Sequence, residues 1–532
     1  MSWRSTRATA TAGGEPRQVA VIDLGSNSWR AVIYSYATGG AHSWWKRTDE
    51  LYEAVRIGAG LQATGKLGAD AIARGLETLA VFARFCRAGR LAPEDIHVFA
   101  TSAIRDAANR EHFLERVREV TGYEVEVLTT RQEAHYGYVA AINSTTLSDG
   151  VVLDIGGGSM QLTRVEGRGE RAHASFPVGA VRMTESFFAA ADADRPVRRK
   201  ERQRLRDHVA GQLERIDWLA GPGGRLIGMG GSVRNLAAAA QRQQLGGAFG
   251  GTDLGIQGML IDRQTLDALV ERLAALPVAE RRTVPGIKPG RGDIILAAAV
   301  TLQTVLELGG FAAIEATEAG VRDGIFLART VLGEDQPRFD DVRAAAVRNL
   351  AVQYESDLPH SEHVARLALQ MHASLAQGGL IVARGGETEL LWAAAMLHDV
   401  GMAISYGDHH KHSRYVIAST ELPGFDPRER ALIAQMTRYH RKGVPKLGDW
   451  ARLAEPGDEE MLERCAILLR LAEHLERGRD QSVDEVRLET NGDGVALHLR
   501  ARGDLMLPRW SVERYGDGDA FQRTFGRALV VG

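Results

Sequence analysis

Two short stretches place an aspartate, a glycine-rich turn and a serine in the same order. In DLGSNS Asp23 precedes Ser28 by five positions, and in DIGGGS Asp154 precedes Ser159 by five. Turns of this composition let successive backbone N–H groups converge on an anion, and an aspartate entering the turn can hold a hydrated cation beside it. Two such turns facing each other would clamp a phosphate chain. A single Gly/Ser turn is usually only a hairpin turn. The matched second copy and a third turn, GMGGS at 228–232, favour phosphate binding over that reading. The candidate set is Asp23 and Asp154 for a hydrated cation, with Asn27, Ser28, Gly156, Gly157, Gly158, Ser159, Gly230, Gly231 and Ser232 for phosphate oxygens.

These turns need rigid elements on either side. VAVIDL and WRAVIYSY flank the first turn as apolar strands, and VVLDI and MQLTRV flank the second, so the repeat predicts two related subdomains. Between them lie a helical pattern over 69–87, a strand IHVFAT at 96–101, a helix from Asn109 and a strand VEVLT at 125–129. Such alternation implies an α/β class. RLIGMGGS runs into an alanine-rich helix, alternating elements continue to about 333, and GEDQPRFDD is the expected linker. From Val342 to about Arg477 the pattern is helical; from Val483 the short runs DEVRLET, GVALHLRA and DLMLPRW predict a small β-rich subdomain. The expected plan is a disordered basic tail at 1–17, subdomains at 18–140 and 141–333, a helical domain at 341–480 and the β-rich end at 483–532.

At 532 residues the chain has room for roughly three or four domains, which excludes a minimal binding module. A net charge of -3 gives no overall attraction to polyanions, so nucleic acid is not an expected partner and a phosphate-rich ligand must be held by clustered charge. RPVRRKERQRLR at 195–206 carries seven basic residues against one acidic. Such a run is usually a solvated face; Arg198, Arg199 and Lys200, with Lys288 and Arg291, are candidates for a polyanion track. No apolar run reaches the roughly 18 residues of a membrane span, and the first 17 residues lack the apolar stretch of a signal peptide. Cys86 and Cys465 read as buried thiols, which suits the cytoplasm.

The three turns resemble the phosphate and adenosine loops of the actin-like ATPase superfamily. ATSAIRDAANREHFLERV (100–117), TTRQEAHYGY (129–138), FPVGAVRMTE (176–185) and VPGIKPGRGDIILA (284–297) resemble the exopolyphosphatase/guanosine pentaphosphate phosphatase family over about 19–330. LLWAAAMLHDVGM (390–402) and HSRYVI (412–417) resemble the third domain of its longer members. The resemblance implies two ribonuclease H-like actin-type subdomains, an all-helical HD-like domain, a homodimer, and Mg²⁺-assisted hydrolysis of polyphosphate, of guanosine pentaphosphate, or of both. It makes Glu133 the general base on the attacking water and Arg105 a phosphate contact. Without it, Thr130–Arg131–Gln132–Glu133 also fits a capping box, which would give Glu133 a structural task. Gln161 stands where the family has a second acidic residue, which implies weaker metal binding or a sensor that binds without turnover. In the helical region His398 and Asp399, with His360 or His363, His410, His412, His440 and Glu473, approximate an HD metal constellation; packing and surface roles are the alternative, and a separate phosphohydrolase there is a third reading.

Overall fold

The computed structural model describes residues 14–40, 42–188, 193–219, 224–245 and 254–531. Residues 1–13 of the expected tail lie outside these. Two compact units divide the chain: apart from residues 254–255, which group with the second, the described residues up to Val342 form the first and those from Arg343 form the second.

In the first unit β1 (Arg17–Leu24), β2 (Trp29–Ala37), β3 (Trp44–Glu53), β4 (Ile96–Ala100) and β5 (Val125–Val127) form a sheet in the order β3-β2-β1-β4-β5. Strands β6 (Gly150–Ile155), β7 (Met160–Glu166), β8 (Gly169–Phe176), β9 (Arg225–Met229), β10 (Leu260–Asp262) and β11 (Ala313–Ala316) form a second, in the order β10-β11-β9-β6-β7-β8. Read from β8 inward, this sheet repeats the first: an antiparallel meander of three strands, then two strands parallel to the first of them. The repeated sequence is therefore a repeated topology, and it brings the two Asp-to-Ser turns to equivalent ends of the two sheets.

The apolar run of β1 is covered on both faces, as expected for a strand inside an α/β sheet. Val19 and Val21 enter one core; Ala20, Ile22 and Leu24 enter another with Trp29 and Phe82. The first of these cores also contains Val152, Ile227 and Met229 from the second sheet, with the helix Thr130–Ile142 and Ile325 and Phe326 of the helix Val321–Phe326. One core thus spans both sheets, and each fully buried side chain of this size contributes about 1.5–3 kcal/mol. The two helices meet at Gly324, where a Cβ would lie 1.9 Å from the Tyr136 carbonyl oxygen, so any larger residue would push them apart. The expected linker is pinned: Asn143 donates to the Pro337 carbonyl and accepts from the Phe339 N–H, and Phe339 stacks on Trp45 at 5.1 Å.

The second unit is helical up to Leu475, with Leu358–Gln377, Glu387–Leu397, His409–Ser419, Pro427–Tyr439 and Asp458–Leu475 as its main helices. Strands β12 (Val483–Asn491), β13 (Gly494–Ala501) and β14 (Ala528–Val531) follow as a small sheet. DLMLPRW, expected to be extended, instead opens the helix Met506–Tyr515. Asp504 Oδ1 accepts the Met506 N–H at 2.9 Å, and Pro508 falls in the first turn, where a proline costs no hydrogen bond. Among the described residues no helix is long and apolar enough to cross a membrane.

Candidate active site

The turns at 25–28 and 156–159 face each other at contact distance. A Cβ on Gly157 would lie 3.0 Å from Ser26 Cβ and 3.3 Å from Asn27 N, and one on Gly158 would lie 2.5 Å from Ser102 Oγ. Ser26 Oγ and Ser102 Oγ are hydrogen-bonded at 2.9 Å, which ties the TSAIRD segment to both turns. The helix Ala180–Phe187 orients the second turn, with Ala180 N–H donating to the Gly156 carbonyl and Val181 N–H to that of Gly157. Gly156 itself donates to the Ser159 carbonyl at 2.9 Å, so its amide closes the turn and leaves the expected phosphate-binding set. Gly230 closes the third side: at φ 98 and with a Cβ position 3.0 Å from Asp154 Oδ1, it needs to be glycine on both counts. Three buried polar atoms on these turns and the adjoining β7, Asn27 Nδ2, Ser232 Oγ and Gln161 Oε1, have no protein hydrogen-bond partner. Ser28 is half-buried at the end of the first turn.

Glu133 sits in the first turn of its helix but does not cap it. The capping box uses Thr129 and Gln132: Thr129 Oγ1 accepts the Gln132 N–H and Gln132 Oε1 accepts the Thr129 N–H. The expected box at Thr130–Glu133 is thus displaced by one residue, because Thr129 has the extended backbone an N-cap requires. Displacement turns Glu133 inward, where its side chain is 7% exposed and Oε2 accepts from Arg105 Nη1 at 2.8 Å. Arg105 Nη1 also donates to the Leu128 carbonyl at 2.9 Å, so this side chain, expected on phosphate, is held on the carboxylate. Burial pushes Glu133 up to about 7 against the pull of Arg105, and the charges of Asp154 and Asp23 push the same way.

Asp23 and Asp154 occupy equivalent places in the repeat. Burial raises both, Asp154 to about 6, with Asp23 adding to that shift and Arg234 opposing it. Asp23 Oδ2 accepts from Arg322 Nη1 at 2.8 Å. Gln161 lies directly opposite Asp154 across β6 and β7, and its Nε2 donates to Ser159 Oγ at 2.9 Å and to Ser175 Oγ at 3.3 Å. Two carboxylates within each other's field, beside an amide oxygen without a partner, fit a hard divalent cation with oxygen ligands, at one negative charge fewer than a third carboxylate would give.

Around them stand cations that repel one another. Burial and the charges of Arg322, Arg30 and Arg291 pull Arg234 down to about 10, and burial with Arg30, Arg234 and Arg291 lowers Lys288. Arg291 lies against the third turn, its Nη2 2.0 Å from where a Gly231 Cβ would be. Lys288 and Arg291 are therefore brought to the site. Arg198, Arg199 and Lys200 are exposed at the start of the helix Arg199–Leu213. Sequence reasoning missed Arg30, Arg234 and Arg322. Arg30, Gln161 and Arg234 each follow a loop serine by two positions, a regularity that was available in the sequence.

In the second unit His360, His398 and Asp399 are buried together, joined by His409, His440 and Glu473. His363 faces Glu476 and Arg366, and His412 is half-buried. The nearest carboxylate oxygen to His410 is Asp408 Oδ1 at 4.0 Å.

Residues 41–331 match the model of the Ppx/GppA phosphatase family, and residues 342–507 that of Ppx/GppA phosphatase, domain III. A guanosine-5'-triphosphate,3'-diphosphate pyrophosphatase of Vibrio vulnificus (strain YJ016) is 27% identical over 500 residues, covering 92% of this chain and 93% of the relative. The protein of that description from Vibrio atlanticus (strain LGP32) is 26% identical over 492 residues, covering 91% and 92%. The crystal structure of an exopolyphosphatase from Cytophaga hutchinsonii has this fold, with a TM-score of 0.51 at 21% identity over 59% of this chain and 97% of that one. With more than half of its length matched by the family model, the chain belongs to the Ppx/GppA phosphatase family.

Proposed function

We propose that this phosphatase is an exopolyphosphatase, releasing terminal orthophosphate from inorganic polyphosphate by in-line attack of water. The observation that carries the reading is Glu133: a buried carboxylate at about 7, held by Arg105 within the field of Asp23 and Asp154. A group with that pKa is partly deprotonated near neutral pH and can accept a proton without a large penalty. Water oxygen adds to the terminal phosphorus, the anhydride P–O bond breaks, Glu133 takes the proton, and the shortened chain leaves as its phosphate. Asp23, Asp154 and Gln161 Oε1 would hold Mg²⁺, which supplies charge compensation for the phosphoryl oxygens. Arg30, Arg234, Lys288 and Arg291 attract the adjoining phosphates, and Asn27 Nδ2, Ser232 Oγ and the amides of Gly157, Gly158 and Ser159 are donors for individual oxygens. Arg105 anchors Glu133 and has further N–H groups for the phosphate under attack.

A second reading, hydrolysis of guanosine pentaphosphate, is favoured by a cleft of about 280 Å³ beside Asn27. Its walls are apolar at Val181, Phe188, Val197 and Ile294, which suits a nucleoside base, and Arg282 stands among ion-paired charges such as Arg56 with Asp293. The names of the Vibrio relatives agree with it. We take the enzyme as cytoplasmic, since buried free thiols at Cys86 and Cys465 suit a reducing compartment, and as a homodimer, which light scattering tests.

The test is orthophosphate release from long-chain polyphosphate and from guanosine pentaphosphate with Mg²⁺, wild type beside Glu133→Ala. Release from polyphosphate, lost in the variant, is expected. Release from the nucleotide alone would put the second reading first. Mg²⁺-dependent binding without release would leave a sensor.

A further inference from the structure

The helical unit holds a second group of metal-ligating side chains that the first site does not use. His360 comes from the helix Leu358–Gln377 and His398 and Asp399 from the end of Glu387–Leu397. His409 opens His409–Ser419, His440 ends Pro427–Tyr439, and Glu473 lies in Asp458–Leu475. Five helices converge, and all six side chains are buried, His398 and His440 at 0% exposure. Collecting six polar groups in one dry place is costly unless they have partners.

Asp399 is at the centre. Its Oδ1 lies 3.2 Å from His409 Nε2 and 3.6 Å from His398 Nε2, and its Oδ2 3.9 Å from His360 Nε2. Glu473 Oε2 lies 3.1 Å from His360 Nε2 and 3.3 Å from His398 Nε2. Three of the rings are held in one tautomer by the same device. Nδ1 of His398 lies 2.6 Å from the Ala395 carbonyl, that of His409 3.0 Å from Tyr406, and that of His440 2.7 Å from Thr437. A carbonyl only accepts, so each Nδ1 carries the hydrogen and each neutral ring presents its Nε2 lone pair inward. This is how metal-bound imidazoles are oriented.

His409 Nε2 and His440 Nε2 are 3.1 Å apart. Two lone pairs at that separation repel, unless a cation lies between them or one ring takes up a second proton. Two nitrogens bonded at about 2.0–2.1 Å to one ion lie about 3.0–3.4 Å apart, so the spacing is that of ligands sharing a metal.

We propose that this group binds two divalent transition-metal ions, one held by His360, His398, Asp399 and Glu473 and the other by Asp399, His409 and His440, with the Asp399 carboxylate bridging them. Four imidazoles among two carboxylates select ions such as Zn²⁺, Fe²⁺ or Ni²⁺ over Mg²⁺, so the two sites of the chain take different metals. Arg479 donates to Asp399 Oδ2 at 2.6 Å and holds Asp357 at 3.2 Å, and Arg477 lies 3.6 Å from Glu473. These half-exposed arginines fix the carboxylates and make the rim cationic, so the ligand for the open coordination positions is a phosphate group.

The experiment is metal analysis of the untagged full chain, stripped with chelator and dialysed against Zn²⁺, with the visible spectrum of the Co²⁺-loaded protein recorded alongside. About two ions per chain are expected in wild type, about one in His440→Gln, and an affinity about 10–100-fold weaker in Asp399→Asn. Inorganic phosphate should shift the Co²⁺ bands of the wild type. Mg²⁺-dependent phosphate release at the first site should not follow the Zn²⁺ content, which separates this proposal from the proposed exopolyphosphatase. A folded wild type that retains no Zn²⁺, Fe²⁺ or Ni²⁺, or variants that retain the full wild-type content, would overturn it and leave a hydrogen-bonded network with one ring protonated. If His440→Gln does not fold, wild-type melting decides: Zn²⁺ should raise Tm, and an unchanged Tm counts against the site.

Discussion

Arg105 Nη1 lies 2.8 Å from Glu133 Oε2, yet the Glu133 carboxyl stands at about 7, because burial outweighs the guanidinium. The pair sets a pH profile. A base must be deprotonated to act, so kcat/KM should climb as pH rises through about 7. Arg105 holds the carboxyl down, so Arg105→Met should move this limb to higher pH as well as lowering the rate. Glu133→Gln should cost about 10²–10⁴-fold above about pH 7, with a smaller deficit at lower pH, where wild type has protonated its base. A pH–rate profile of the three proteins checks both statements, and a limb that stays put in Arg105→Met would detach the arginine from the base.

The same carboxyl predicts a stability effect of opposite sign. Between its ordinary 4.5 and about 7 the folded chain keeps a proton that the unfolded chain has released, so this group's contribution falls as pH rises through that window. Above the window the penalty is about 3 kcal/mol as an upper bound. Glu133→Gln removes the titration, at the cost of a weaker bond to Arg105. It should therefore be the more stable protein at about pH 8, by about 1–3 kcal/mol, and lose that advantage below about pH 4.5. Urea unfolding at the two pH values measures it.

The repeat of Asp, turn and Ser was legible in the sequence because it is local, and the sheet order confirms it as a repeat of topology. The helical region was legible through its periodicity. What failed depended on one residue's backbone or on distant approach. Thr129, not Thr130, adopts the extended N-cap conformation, and that single step decides whether Glu133 caps or faces inward. Arg322, 299 positions from Asp23, meets it only in the fold. DLMLPRW alternates like a strand, but its Asp and Pro are helix-start residues.

Arg291 and Gly231 give a test of the cationic wall. The guanidinium occupies the space a Gly231 side chain would need, so Gly231→Ala should displace it and Arg291→Ala should remove it. Both should raise KM for polyphosphate about tenfold, the order of one charged hydrogen bond, with kcat much less affected because the contact is to phosphates beyond the reacting one. The effect should shrink as salt is raised. Steady-state kinetics at two ionic strengths would reveal it; an equal fall in kcat would place Arg291 on the transferred phosphate instead.

Gln161 faces Asp154 across the β6–β7 pair and is 2% exposed, so Gln161→Glu puts a third carboxylate beside two that burial has already raised. Without a cation the added charge is poorly solvated, and the variant should melt below wild type by about 1–3 kcal/mol. Its carboxylate can only accept, so the bonds to the Ser159 and Ser175 hydroxyls, which accept from Gln161 Nε2, must reverse direction. With Mg²⁺ the order reverses, because a full negative charge replaces an amide oxygen. The variant should gain more Tm from the ion than wild type does, and half-maximal phosphate release should need about 3–10-fold less Mg²⁺. Melting curves with and without Mg²⁺, beside a Mg²⁺ titration of activity, decide it. An equal Mg²⁺ response in the two proteins would remove position 161 from the cation's surroundings and leave Asp23 and Asp154 as its carboxylates.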